Sequence, residues 1–164
     1  MDIVIVSLAS LTIFLVPLIA LLLSHDAIVG ELERGTLLLL LSYPVARSQI
    51  VFGKFLAHIL ILSFATLLGY GAAGLALVVA GTPTTAESWT AFGAMIGSSI
   101  LLGSVFTAIG YLVSATVSQR STAGGIALGV WLFFVIIYDM GLLGAIVSTK
   151  GVGFSPGLLS ILLM

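Results

Sequence analysis

Four long apolar segments, separated by short polar ones, constrain this chain more than any other feature. As helices rising about 1.5 Å per residue, all four are long enough to cross a hydrocarbon core of about 30 Å. A helix also satisfies every backbone polar group within its own segment, which lipid requires. The sequence therefore predicts an all-α polytopic transmembrane domain, a single domain over residues 1–164. The predicted spans are residues 3–23, 50–79, 91–115 and 123–147.

The composition excludes a water-soluble fold. The chain is 60% hydrophobic and 7% charged, with a mean hydropathy of +1.35, whereas soluble domains carry about 25% charged residues. A net charge of -1 gives no indication of nucleic-acid binding. With no cysteine, disulfides, thiolate metal sites and thiol nucleophiles are excluded. Asp2 stands where a signal peptide would have a basic region, so no cleaved leader is predicted.

Three side chains are predicted to lie at the membrane interface. Lys54, near the start of the second span, would be costly deep in lipid, so we expect its amine to extend to the headgroups. Trp89 follows a polar turn at 81–88 and suits an interfacial anchor, and Arg120 lies in a short loop at 116–122. Residues 148–164, broken by Gly and Pro, predict an interfacial or re-entrant segment.

The distribution of Lys and Arg predicts the orientation. The loop at 24–54 carries Arg34, Arg47 and Lys54, and the loop at 116–122 carries Arg120. The loop at 81–88 has none, and the tail has only Lys150. By the positive-inside rule, loops 24–54 and 116–122 are cytoplasmic, while 81–90 and 148–164 are periplasmic. The expected location is a bacterial inner membrane.

The loop between the first two spans concentrates the charge. Of the chain's five Lys or Arg and six Asp or Glu residues, six lie between Asp26 and Lys54. Gly35 interrupts helix formation, and Thr36 suits the N-cap of a short helix over 37–42, which the Tyr-Pro pair ending at Pro44 would stop. Such an apolar helix fits a partner's groove. The alternative is an interfacial helix that only returns the chain to the bilayer.

The loop's sequence resembles that of ABC-2 type permeases, the membrane subunits of one branch of ATP-binding-cassette transporters. The resemblance rests on Glu31-Leu32-Glu33-Arg34-Gly35-Thr36-Leu37, then Leu41-Ser42-Tyr43-Pro44-Val45-Ala46-Arg47, then Gly53-Lys54-Phe55. In that family the first pattern forms a cytoplasmic coupling helix that fits a groove on the ATPase subunit. The residues that the resemblance assigns to ATPase coupling are Glu31, Glu33, Arg34, Gly35, Thr36, Leu37, Leu40, Leu41, Pro44 and Arg47.

The resemblance also implies partners. Across residues 7–81 the chain is similar in particular to the members that support maturation of the copper sites of nitrous oxide reductase. This implies an ABC ATPase, a periplasmic maturation protein and a second permease copy, and export of a sulfur species or mechanical work. The family has six spans, and the four seen here match spans two to five, so the first and last are expected to be absent from this sequence. An alternative is a non-transporting anchor whose loop recruits a cytoplasmic protein.

Other candidate sites carry less chemistry. The chain lacks Gly-x-x-x-x-Gly-Lys-Ser/Thr, so ATP and Mg²⁺ would be bound by the partner and no catalytic residue or cofactor is predicted here. His25 and His58 are the chain's only histidines and have no cysteine and no carboxylate cluster beside them, which disfavours a metal site. Asp139, inside the fourth span, is a candidate for a gate or path, with structural pairing or solvation as the alternative. Glycines four residues apart, at 93 and 97 and at 125 and 129, suit helix–helix or subunit contact.

Overall fold

The computed structural model describes residues 2–36, 46–81 and 85–149, with side chains from residue 6 to residue 147. All regular secondary structure in these ranges is α-helical. Four of the helices are long and apolar enough to cross a membrane, so the predicted polytopic helical fold is confirmed and the chain is a multi-pass membrane protein. The helices are α1 (Asp2–Ser24), α2 (Val29–Glu33), α3 (Arg47–Val79), α4 (Ala86–Thr116) and α5 (Arg120–Thr149).

The long helices extend beyond the predicted spans, most clearly at the start of α4. The predicted polar turn at 81–88 becomes helical from Ala86, because Thr85 caps the helix: its hydroxyl accepts a hydrogen bond from Ser88 N at 3.2 Å. Glu87 in the first turn adds a favourable charge at the positive end of the helix dipole. At the other side of this turn, Gly81 ends α3 with a positive φ of 64°.

Helix α4 is the central element of the bundle. It packs extensively against α1 and less extensively against α3. Its buried positions recur every three or four residues, which places them on one helical face. A helix that is otherwise exposed to lipid thus gains a defined inner side. The buried residues of α4 are Phe92, Met95, Ser99, Gly103, Phe106, Thr107, Gly110, Tyr111, Val113 and Ser114.

Two glycines on this buried face allow neighbouring helices to approach α4. A methyl group at Gly110 would overlap Ser24 Oγ of α1, and one at Gly103 would lie 2.5 Å from Leu62 Cδ2 of α3 and 3.1 Å from Val16 Cγ1 of α1. The glycine pairs predicted to support close contact, at 93 and 97 and at 125 and 129, are different: a Cβ placed on any of them would meet no other described atom within 4 Å. Within the described chain, therefore, the close approach uses another pair of glycines, seven residues apart.

Hydroxyl groups in the bundle mostly donate to carbonyls of their own helix. Ser99 donates to Met95 O at 2.6 Å, and Thr107 donates to Gly103 O at 2.8 Å. Such bonds satisfy a hydroxyl in lipid without a partner on another helix. The bonds of Ser99 and Thr107 therefore do not join α4 to another helix.

A smaller number of polar contacts do join helices. The hydroxyls of Thr12 on α1 and Tyr70 on α3 hydrogen-bond each other in a buried position. Trp131 Nε1 on α5 donates to Phe14 O on α1 at 2.9 Å. Each contact removes one polar group from lipid and fixes a pair of helices at one level.

The chain divides into two compact units, residues 1–131 and 132–164. The described part of the second unit, residues 132–149, is the continuation of α5. Within it the rings of Phe134 and Tyr138 lie 6.4 Å apart, and Asp139 is exposed. The predicted re-entrant segment falls almost entirely on residues 150–164, which lie outside the described residues.

Candidate functional site

The residues that follow α1, which we call the charged segment (residues 26–34), form a compact unit that sequence reasoning did not predict. The chain turns after Ser24, with Ala27 N donating to Ser24 O at 3.1 Å and Gly30 N donating to Asp26 O at 2.9 Å. The short helix α2 follows immediately, and its Val29 is fully buried. A five-residue helix is too short to be stable alone, so contacts with the rest of the bundle must hold it.

The N-terminus of α2 is capped by a side chain from another helix. Its own N-cap residue is Ile28, which has no side-chain acceptor. Instead, Ser114 Oγ on α4 accepts hydrogen bonds from Ile28 N and from Val29 N, each at 3.0 Å. Ser114 is 1% exposed, so the bonds are shielded from water. Two amides that would otherwise be unsatisfied at the helix start are thus bound by a residue 85 or 86 positions away.

Two acidic side chains of the charged segment bind the start of α5. Asp26 Oδ2 lies 2.7 Å from Arg120 Nη2. Glu33 Oε1 accepts a hydrogen bond from the backbone N–H of Arg120 at 2.7 Å, at the first residue of α5. A carboxylate at a helix N-terminus is favoured both by the free N–H and by the helix dipole. Beneath these contacts, Val29 packs against Val113 and Ala123.

Lys54 joins the charged segment to α3. Its amine pairs with Glu31 and also donates to Ala27 O at 3.0 Å. The two charged side chains are 29% and 22% exposed, so the pair is partly shielded from solvent. Lys54 was predicted to extend to the membrane interface; the structure adds that it reaches the charged segment, and the interface position stays a prediction.

Gly35 ends the charged segment with a backbone shape that favours glycine. Its φ is +71°, and its N–H donates to Leu32 O at 3.2 Å, as at the C-terminal end of a helix. The Thr36 hydroxyl donates to Glu31 O at 3.3 Å, so it interacts with the preceding helix. Its predicted role as the N-cap of a following helix concerns residues 37–42, which lie outside the described residues.

The charged segment and α3 enclose a cleft of about 260 Å³. Charged groups of both signs line it, and His58 lies on its α3 side. His58 Nδ1 shares a hydrogen bond of 2.7 Å with the Tyr111 hydroxyl of α4, which ties the cleft wall to the central helix. Among the described residues, no three His, Cys, Asp or Glu side chains are grouped closely enough to hold a metal ion.

The other predicted site residues are distributed as follows. Arg47 is exposed at the first position of α3, and Arg34 is exposed at the C-terminal end of α2. Trp89 is 39% exposed and packs edge-on against Phe92, with ring centroids 5.9 Å apart. Asp139 belongs to the second unit, residues 132–164. Four predicted coupling residues lie outside the described residues: Leu37, Leu40, Leu41 and Pro44.

Several residues of this site were missed in the sequence. Ser114 resembles any other hydroxyl residue of a membrane helix, and no pattern marks it as a cap for a distant turn. Asp26 was recognised only as one of the loop's charges, without its partner on α5. The pairing with Arg120 could have been inferred from two features. Asp26 lies just beyond an apolar span, and Arg120 is the single cation of the 116–122 loop. The resemblance did place Glu31 and Glu33 at the centre of the site, although their partners here are intramolecular.

Comparison with known proteins identifies the family. A family described as "ABC-2 family transporter protein" matches residues 2–163. The chain is 53% identical over 159 residues to a "Probable ABC transporter permease protein NosY" of Pseudomonas aeruginosa PAO1, covering 96% of this chain and 58% of that protein. It is also 53% identical over 162 residues to a protein of the same description from Stutzerimonas stutzeri, covering 98% of this chain and 58% of the relative. The chain thus spans little more than half the length of these relatives, and it belongs to the ABC-2 family of transporter proteins.

Proposed function

We propose that this chain is the membrane-spanning part of an ABC transporter permease and that its charged segment couples the bundle to a partner ATPase. The observation that carries the proposal is the attachment of residues 26–34 to three helices at once. Lys54 holds the segment to α3, Ser114 holds it to α4, and Arg120 holds it to α5. Because of these contacts, a force applied to the segment is passed to all three helices.

The proposed mechanism follows from that attachment. When two ATPase subunits close on ATP, they displace the predicted coupling helix near residues 36–42, and the attached spans tilt together. The permease dimer then shifts between inward-closed and outward-open populations according to their different binding energies. ATP and Mg²⁺ belong to the partner, and this chain supplies no catalytic group and holds no cofactor. In this mechanism Arg34 and Arg47, both exposed, face the ATPase.

The finer assignment rests on the similarity to the two NosY proteins. We infer an assembly of two permease copies, two ATPases of the NosF type and a periplasmic NosD-like protein in a bacterial inner membrane. Loops 24–54 and 116–122 face the cytoplasm. The assembly exports a sulfur species, or delivers mechanical work, for copper–sulfur cluster formation in nitrous oxide reductase. Asp139 is proposed to contribute to the gate or path.

The second candidate function is a membrane anchor that recruits a cytoplasmic protein without transport. The exposed ends of the charged segment would serve either function. The two functions place different requirements on the backbone conformation of Gly35. A coupling loop in a tight groove requires the left-handed conformation seen there, whereas a simple charged recruitment surface tolerates a change of backbone if its charges remain.

The test is affinity purification of the full-length protein from its own membranes, followed by mass spectrometry. An ABC ATPase should copurify with the native protein and fall at least about tenfold in Gly35→Leu, because a bulky side chain disfavours positive φ. Gly35→Asn, which tolerates this conformation, should retain most binding. Glu87→Arg, at the other end of the bundle, is the control for the charge change Glu33→Arg considered next. It should not affect copurification of the ATPase.

Two substitutions at Glu33 distinguish a contact with the partner ATPase from the internal contact with α5. Glu33→Gln keeps the oxygen that caps α5 but removes the charge, whereas Glu33→Arg removes both. If the ATPase is lost in both variants, the negative charge of Glu33 contacts the partner. If it is lost in Glu33→Arg alone, the side-chain oxygen matters through its cap on α5. If no ATPase copurifies with the native protein under mild conditions, the permease assignment fails and the anchor takes its place.

A further inference from the structure

We propose that Ser114 is the positioning residue through which movement of the charged segment reaches the central helix α4. The inference rests on the proposed coupling function and names the route that coupling takes. Covalently, the charged segment is continuous with α1 and leads to α3. Its most shielded polar contact, however, is with neither of them: it is the pair of hydrogen bonds to Ser114.

Two helix starts, those of α2 and α5, are capped by side chains of other elements. Ser114 of α4 caps the start of α2, and Glu33 of α2 caps the start of α5. Each cap satisfies backbone N–H groups that a helix start leaves free. Because α4 and α5 are joined by only three residues, Val117 to Gln119, the two caps fix α2 against one corner of the bundle.

This corner is packed as well as hydrogen-bonded. Val29 of α2 is fully buried against Val113 and Ala123, one residue on each side of the corner. One helical turn before Ser114, Gly110 leaves no room between α4 and Ser24, the last residue of α1. Displacement of α2 relative to α4 would break two shielded bonds and open an apolar contact, so the two move as one body.

Ser114 differs from two other buried hydroxyl residues of α4. Ser99 and Thr107 donate to carbonyls of their own helix, so their removal leaves no amide elsewhere unsatisfied. Removal of the Ser114 hydroxyl leaves two amides of another element without an acceptor, in a largely buried site. The role of Ser114 is therefore specific to the charged segment.

The first measurement tests the cap itself and needs no partner. Amide hydrogen exchange of the full-length permease in detergent is compared for the native protein, Ser114→Ala, Ser114→Thr and Ser99→Ala. The Ile28 and Val29 amides should exchange about two- to thirtyfold faster in Ser114→Ala, the range expected for a lost cap. They should be unchanged in Ser99→Ala and close to native in Ser114→Thr, which keeps the hydroxyl. Equal exchange in Ser114→Ala and the native protein would overturn the inference.

The second measurement tests transmission in the complex of the full-length permease with its ATPase in lipid nanodiscs. Spin labels at Leu56 of α3 and Leu112 of α4, which are 50% and 65% exposed, report the distance between these helices with and without vanadate-trapped nucleotide. The native complex and Ser99→Ala should show the same nucleotide-dependent shift. Ser114→Ala should bind the ATPase normally yet lose at least half of the shift, and Ser114→Thr should restore it.

The outcomes separate the two proposals. An unchanged shift in Ser114→Ala with a bound ATPase would refute the Ser114 route and leave the coupling function standing. A native permease that binds no ATPase would refute the coupling function and this inference with it, whereas faster exchange of the two amides would still establish the cap.

Discussion

The contact between Gly110 and Ser24 gives the sharpest quantitative prediction. A Cβ added at Gly110 would overlap Ser24 Oγ, lie 2.9 Å from Ser24 Cβ and lie 3.4 Å from the Ser24 carbonyl carbon. Rotation of the serine hydroxyl removes only the first of these contacts. Ser24 is fully buried at the end of α1, so the helices themselves must separate to admit the methyl group.

The expected magnitude follows from two opposing effects. Inserting a methyl into a packed site costs about 1–3 kcal/mol, while replacing glycine by alanine inside a helix gains about 1 kcal/mol. Gly110→Ala alone should therefore destabilise by only about 0–2 kcal/mol. The interaction energy with residue 24 isolates the overlap: it should be about 1–3 kcal/mol for the pair Gly110→Ala and Ser24→Gly. It should be smaller with Ser24→Ala, which leaves the 2.9 Å contact with Cβ.

The assay is reversible unfolding of the full-length protein in mixed micelles titrated with SDS, followed by tryptophan fluorescence. The four proteins of each double-mutant cycle are measured together, so the helix propensity of residue 110 and the lost hydrogen bond of residue 24 cancel. An interaction energy below about 0.5 kcal/mol, the level expected for independent sites, would refute the close approach of α1 and α4 at this level.

Three further predictions concern the polar contacts between helices, and each is measured by the same SDS titration. Lys54→Met and Glu31→Gln should show an interaction energy of about 0.5–1 kcal/mol, the range for partly exposed pairs, and additivity would contradict the pairing. Tyr70→Phe should lower the free energy of unfolding by about 0.6 kcal/mol, the average for hydrogen bonds between membrane helices. Thr12→Val should lower it more, because it leaves a buried tyrosine hydroxyl without its partner. The reverse order would refute that reasoning. Trp131→Phe should destabilise by about 0.6–1.7 kcal/mol through loss of the bond to an α1 carbonyl, and no change would argue against that contact.

The fold was predictable because lipid imposes a simple length requirement. Hydropathy alone located four spans and the all-α class, and the resemblance of residues 31–55 to ABC-2 permeases identified the family that comparison confirms. The errors in helix bounds arose where helices include polar residues that lie outside the apolar runs. At Ala86, for example, a threonine cap starts α4 inside a stretch whose composition predicts a turn.

The uniform apolar character that made the spans predictable also hid which face of each span is buried in the bundle. In lipid every face of a helix is apolar, so periodicity does not distinguish buried from exposed sides. The sequence thus predicted helix–helix contact at the glycines at 93 and 97, whereas the close approaches between helices are at Gly103 and Gly110. Helix α2 was missed because its stability comes from Ser114, far away in sequence. The partner-facing roles of the loop residues stay predictions.

The two ion pairs of the charged segment affect how the chain is built into the membrane. Orientation is set during insertion by free Lys and Arg, while Asp and Glu contribute little. Pairing of Lys54 with Glu31, and of Arg120 with Asp26, neutralises these cations only once the helices have assembled. With loops 24–54 and 116–122 in the proposed cytoplasmic orientation, the same two side chains serve twice. They act first as topogenic signals and later as ion pairs: Arg120–Asp26 joins the two loops, and Lys54–Glu31 joins α3 to the charged segment.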